Sequence, residues 1–129
     1  MPLPITATYA AALAIILLAL IYHVILARAK YEVSIGTGGN ADLHTRVRRH
    51  GNFVETVPIA LIVMALAELG GANATALHAA GVLLVVSRVI QPIGMHHEVA
   101  TKPARILGGL GTHLAIAICV VLIGLEAFT

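Results

Sequence analysis

One stretch of the chain concentrates side chains that bind charge: Arg46-Val47-Arg48-Arg49-His50-Gly51-Asn52-Phe53-Val54-Glu55-Thr56-Val57-Pro58. On a helix Arg48, Asn52 and Glu55 fall at i, i+4 and i+7, so a cation, an amide and a carboxylate share one stripe. The apolar run that starts at Phe53 includes Glu55, and a carboxylate within a span costs on the order of 2–3 kcal/mol when it faces lipid near the centre. Glu55 is therefore expected to face the bundle and find a partner, and Arg88 lies at comparable depth on a later run. Two readings stand side by side. In one, Glu55 pairs with Arg88 or Arg48 and glues helices together. In the other the stripe binds a zwitterionic, multiply charged solute, with arginines taking its carboxylates, Asn52 its amide groups, and Glu55 an ammonium or a neighbouring Arg.

The elements that must position these residues are membrane helices. The 129 residues leave room for one domain, spanning 1–129. Only 11% are charged and 59% are hydrophobic, with a mean hydropathy of +0.95. Soluble domains carry roughly 25% charged residues, so this chain cannot cover a water-exposed surface and is not a disordered one. Four apolar runs, at about 5–27, 53–69, 74–95 and 106–128, read as an all-α integral membrane four-helix bundle. The first has no charge from Ile5 to Ala27, and no basic residue precedes it as a secretory signal would require, so it is expected to remain in the mature protein. Gly70-Gly71 followed by Asn73 predicts a helix stop and a new cap, hence a tight hairpin between spans two and three. Asn40 and Asp42 predict a helix start well before span two enters the bilayer.

All eight Lys and Arg residues flank the first and third loops: Arg28, Lys30, Arg46, Arg48, Arg49, then Arg88, Lys102 and Arg105. The positive-inside rule places those loops in the cytoplasm and both termini outside.

The Arg48, Asn52, Glu55, Pro58 pattern at the start of a second span resembles the hallmark of the MAPEG family, the membrane-associated proteins in eicosanoid and glutathione metabolism. The Gly-rich break before it, His50-Gly51-Asn52 within it, and Gly94-x-His96-His97 after Arg88 resemble the small bacterial inner-membrane branch. The resemblance implies a homotrimer of four-helix protomers, with glutathione as co-substrate in cytoplasm-facing clefts between subunits. It assigns glutathione's carboxylates to Arg28 and Arg48, orientation of the tripeptide to Asn52 and Glu55, and stabilisation of the thiolate to Arg105 in Pro103-Ala104-Arg105, with Lys102 as the alternative. A thiol of pKa about 8.5 is mostly protonated at neutral pH, and a fixed cation beside it favours the reactive anion. The implied activity is that of a glutathione-dependent transferase or peroxidase on lipophilic electrophiles. Its partners are membrane lipid, a lipophilic small molecule and further copies of the chain, and no nucleic acid.

The pattern departs from catalytic relatives at one point: they place tyrosines on span three where this chain has Gln91 and Met95. That departure favours the competing reading, a non-catalytic lipid-binding or scaffold protein of the same type. A small multidrug exporter also has four short spans, but carries its essential Glu in span one, where this chain has none. No metal is expected, since adjacent helical positions such as His96 and His97 point about 100° apart and too few ligands converge. His50 is read as an interfacial, solvated imidazole, and His23, His78 and His113 as packing or interface residues. Cys119 is read as a small apolar packer, and the Gly108-Gly109-x-Gly111 and Ala115-x-Ala117 series as surfaces for close helix contact.

Overall fold

A computed structural model describes residues 1–98 and 102–128; the middle of the third basic loop, residues 99–101, and the final Thr129 lie outside the described residues. Four helices run up and down: α1 Pro4–Tyr31, α2 Ala41–Leu69, α3 Ala74–Gly94 and α4 Pro103–Ala127. Each is long and apolar enough to cross a membrane. The first and third loops share one end, here called the basic end.

Local chemistry sets the helix limits. Pro4 stands in the first turn of α1 and Pro103 in that of α4, where a missing N–H is no loss. Asn40 caps α2, its Oδ1 accepting from the Leu43 N–H at 2.8 Å, so the helix does begin well before the apolar run at Phe53. Asn73 caps α3 in the same way, accepting from the Ala76 N–H at 3.1 Å. Between them Gly71, at φ +89°, closes α2: its N–H donates to the Glu68 carbonyl and the Ala72 N–H to that of Ala67, both at 3.1 Å. This paired closure needs a left-handed residue, which glycine adopts without strain.

Seams at coiled-coil spacing join the helices. The buried residues of α1 are Thr6, Leu13, Leu20 and Ala27, one every seven positions. Those of α2 include Phe53, Val57, Ala60, Met64 and Ala67, and those of α4 are Gly108, Thr112, Ala115 and Cys119. Alternating steps of three and four keep one narrow line on the neighbour, leaving the rest of each helix for lipid. Ile15, Leu26, Ile62, Leu114 and Val121 are accordingly exposed.

Because lipid removes the hydrophobic drive between helices, contact depends on close approach. Gly81 of α3 lies under the Tyr9 ring of α1, leaving no room for a Cβ. Gly94 of α3 meets the backbone of Arg105, and Gly108 of α4 that of Gln91. Tyr9 adds polar contacts, its hydroxyl lying 2.9 Å from His78 Nδ1 and donating to the His78 carbonyl at 3.1 Å. At the end opposite the basic one, Glu68 accepts from the Ile5 and Thr6 N–H groups at 2.8 and 2.7 Å. A carboxylate on α2 thus satisfies the open N-terminus of α1.

Candidate functional site

At the basic end a polar cleft of about 320 Å³ opens between α2, α3 and α4. From α2 it takes His44, Thr45, Arg48 and Asn52; from the end of α3, Gln91 and Met95; from the following loop, His96 and His97; and from α4, Arg105. Its volume lies at the lower end of the 300–1,000 Å³ usual for small-molecule sites.

Three of the five residues singled out by sequence, Arg48, Asn52 and Arg105, meet in this cleft. They come together because α2 extends as a helix past the apolar run while Gly94 lets α4 start directly against the end of α3. Arg49 ties the same corner, donating from Nε and Nη2 to the Met95 carbonyl at 3.2 and 2.6 Å. Lys102 stands at the N-cap of α4 and does not line the cleft.

Glu55 departs from expectation. It faces out of the four-helix bundle rather than into it, and pairs with Arg48 of its own helix: Arg48 Nη1 and Nη2 donate to Glu55 Oε1 and Oε2 at 3.1 and 3.4 Å. Both side chains are about half exposed, 48% and 54%. The physical reason is the helical stripe itself. A step of seven residues brings the two side chains over each other, and Gly51 between them has no Cβ to lift the guanidinium; one there would lie 3.1 Å from Arg48 Nη1. The pair therefore joins two turns of one helix and glues no helices.

Arg88 also lacks the carboxylate that the ion-pair reading gave it. It is 2% exposed and donates from Nη1 to Asn52 Oδ1 at 2.9 Å and Thr56 Oγ1 at 3.1 Å, and from Nη2 to the Gly108 carbonyl at 3.1 Å. Its Nε is buried with no partner among the described residues. One cation thus links α2, α3 and α4 through neutral oxygens.

Arg28 does not reach the cleft. Its Nη1 donates to the carbonyls of Val33, Ser34 and Gly36, at 3.3, 3.3 and 2.9 Å, folding the first loop back over the end of α1. His96 and His97 lie beyond α3, which ends at Gly94, so the helical 100° argument does not govern them. Among the described residues no group of three or more His, Cys, Asp or Glu stands within reach of one metal ion. Sequence reasoning missed His44 as a lining residue. The signal was present, since His44, Arg48 and Asn52 repeat at i, i+4 and i+8 on α2.

Comparison with known proteins agrees with this architecture. The family model of the MAPEG family matches residues 6–125. The inner membrane protein YecN of Escherichia coli strain K12 is 35% identical over 94 residues, covering 73% of this chain and 72% of that protein. YecN of E. coli O6:H1 strain CFT073 matches to the same extent. With four membrane-length helices, a family match running from α1 to the last turns of α4, and the Arg48, Asn52, Glu55 stripe on α2, the chain belongs to the MAPEG family.

Proposed function

We propose that this protein binds glutathione in the cleft at its basic end and directs the thiolate, formed beside Arg105, at lipophilic electrophiles that arrive through the bilayer. The observation that carries this reading is the meeting of Arg48 and Asn52 of α2 with Arg105 of α4 in one cleft. Carboxylates of the tripeptide suit the guanidinium of Arg48, its peptide groups suit Asn52, and its sulfur, when ionised, suits Arg105. The protein's own contribution is to hold two reactants that otherwise meet rarely and to favour the sulfur anion.

Titrating the purified protein with glutathione while following thiolate absorbance tests this directly. Arg48→Ala should weaken glutathione about tenfold, the effect of losing roughly one good polar contact, and Glu55→Ala, which only releases Arg48 from outside the cleft, should weaken it less. The bundle should stay assembled, because an exposed pair within one helix contributes no more than about 1 kcal/mol. Parent-like affinity in both variants would remove this site from the reading.

A second reading is favoured by Gln91 and Met95, which line the cleft at the positions where the sequence departs from catalytic relatives. In it the protein holds lipid or presents it to a partner without turnover. Binding of glutathione with neither thiolate absorbance nor product would select it.

The assembly proposed is a homotrimer in a bacterial inner membrane. The half-exposed Arg48–Glu55 pair on the outer face of α2 supports it, since charge on a lipid-facing surface is costly and a neighbouring copy would cover it. Mass measurement in mild detergent should give three chains, and monomer at every concentration would reject the trimer. The proposed orientation has both termini in the periplasm, following the eight basic residues at the opposite end. A reporter active only outside the cytoplasm, fused to the carboxyl terminus, should be active; an expressed but inactive fusion would reverse the assignment.

A further inference from the structure

We infer that Arg88 is a positioning residue: by taking the Asn52 carbonyl oxygen it turns the Asn52 amide nitrogen to the cleft, making that wall a hydrogen-bond donor surface for an acceptor-rich anion. A guanidinium has donors and no acceptor, so the Asn52 atom 2.9 Å from Arg88 Nη1 has to be the oxygen. Thr56 is set the same way. Its hydroxyl proton goes to the Asn52 backbone carbonyl at 2.8 Å, which leaves Oγ1 to accept from Arg88. Gly108 accepts from both Arg88 Nη2 and Thr112 Oγ1, the latter at 3.0 Å, so α4 holds the guanidinium in place from the far side.

The Asn52 amide therefore has one end committed inside the bundle, while the residue itself lines the cleft. Its NH₂ group is then turned to the cleft that Arg48 and Arg105 also line. Carboxylate, peptide carbonyl and sulfur anion all match such a wall. A ligand offering ammonium or N–H groups to it would leave donors facing donors, which costs far more than a missing contact. The orientation of Asn52 is independent of what the cleft binds; only the choice of glutathione as probe rests on the glutathione reading.

Asn52→Asp separates the two halves of the inference. The carboxylate keeps an oxygen for Arg88 and makes that bond charge-assisted, so the thermal midpoint in detergent should equal or exceed the parent's. In an Arg88→Met background the same change buries a carboxylate without its cation and should lower the midpoint by at least about 5 °C. A midpoint for Asn52→Asp below the parent's overturns the orientation, and this single variant decides it even if Arg88→Met does not fold. The donor wall is read with glutathione: Asn52→Asp replaces two donors by an anion and should weaken binding roughly ten- to hundredfold. Parent-like glutathione affinity at a retained midpoint overturns the donor wall. A parent protein that binds no glutathione sinks the glutathione reading alone, while the midpoints still decide the orientation of Asn52.

Discussion

Gly108→Val should separate α3 from α4 and lower stability by roughly 3–5 kcal/mol. A Cβ at Gly108 would lie 2.6 Å from Gln91 Cβ and 2.8 Å from its Cα and N. None of these atoms is the far end of a flexible side chain, so only movement of a whole helix relieves the overlap. That movement also stretches the bonds from Arg88 Nη2 and Thr112 Oγ1 to the Gly108 carbonyl, leaving a deeply buried cation short of an acceptor. Two glycines calibrate the result. At Gly111 the nearest obstacle is the Ser87 hydroxyl, which rotation can remove, so Gly111→Ala should cost less. At Gly124 nothing lies within 4 Å, and Gly124→Ala should match the parent or gain up to about 1 kcal/mol from helix propensity. Unfolding in mixed detergent reads all three. Equal midpoints for Gly108→Val and Gly124→Ala would show that the α3–α4 seam does not depend on close approach.

Arg105→Ala should lower turnover roughly 10²–10³-fold while changing glutathione affinity less than about tenfold, the scale seen when one stabiliser of developing charge is removed. Arg105 lines the cleft from α4, whereas Arg48 and Asn52 line it from α2. In the glutathione reading proposed above, the groups on α2 hold carboxylates and peptide amides whether or not the thiol has lost its proton. In the proposed reading the guanidinium of Arg105 acts chiefly on the ionised sulfur, so its loss would fall on the reactive state more than on the bound one. Stopped-flow thiolate absorbance and conjugation of chlorodinitrobenzene, with chloride as the leaving group, measure the two effects separately. Lost affinity and lost turnover in equal proportion would make Arg105 a binding group. Equal activity in parent and variant would move the role to Lys102, which caps α4 outside the cleft.

These two outcomes bear on different links of the same chain of causes. Gly108 and Gly94 set how closely α3 and α4 approach, and that approach brings Arg105 to the cleft.

Four membrane helices and their caps were legible in the sequence because each depends on neighbours a few residues away. Asn40 caps α2, Asn73 caps α3 and Gly71 closes α2. The Arg48, Asn52, Glu55 spacing likewise placed a cation and a carboxylate within reach on one helix. Which partner each charged group takes was decided by the tertiary structure. Arg88 reaches Asn52 across 36 residues, and Glu68 reaches the start of α1 across 63, so both depend on how far helices rotate and slide past one another. Spacing along one helix says nothing about that rotation. It is set by where glycines permit backbones to touch, and the contact at Gly108 turns Arg88 toward neutral oxygens while Glu55 is left on the outer face with Arg48.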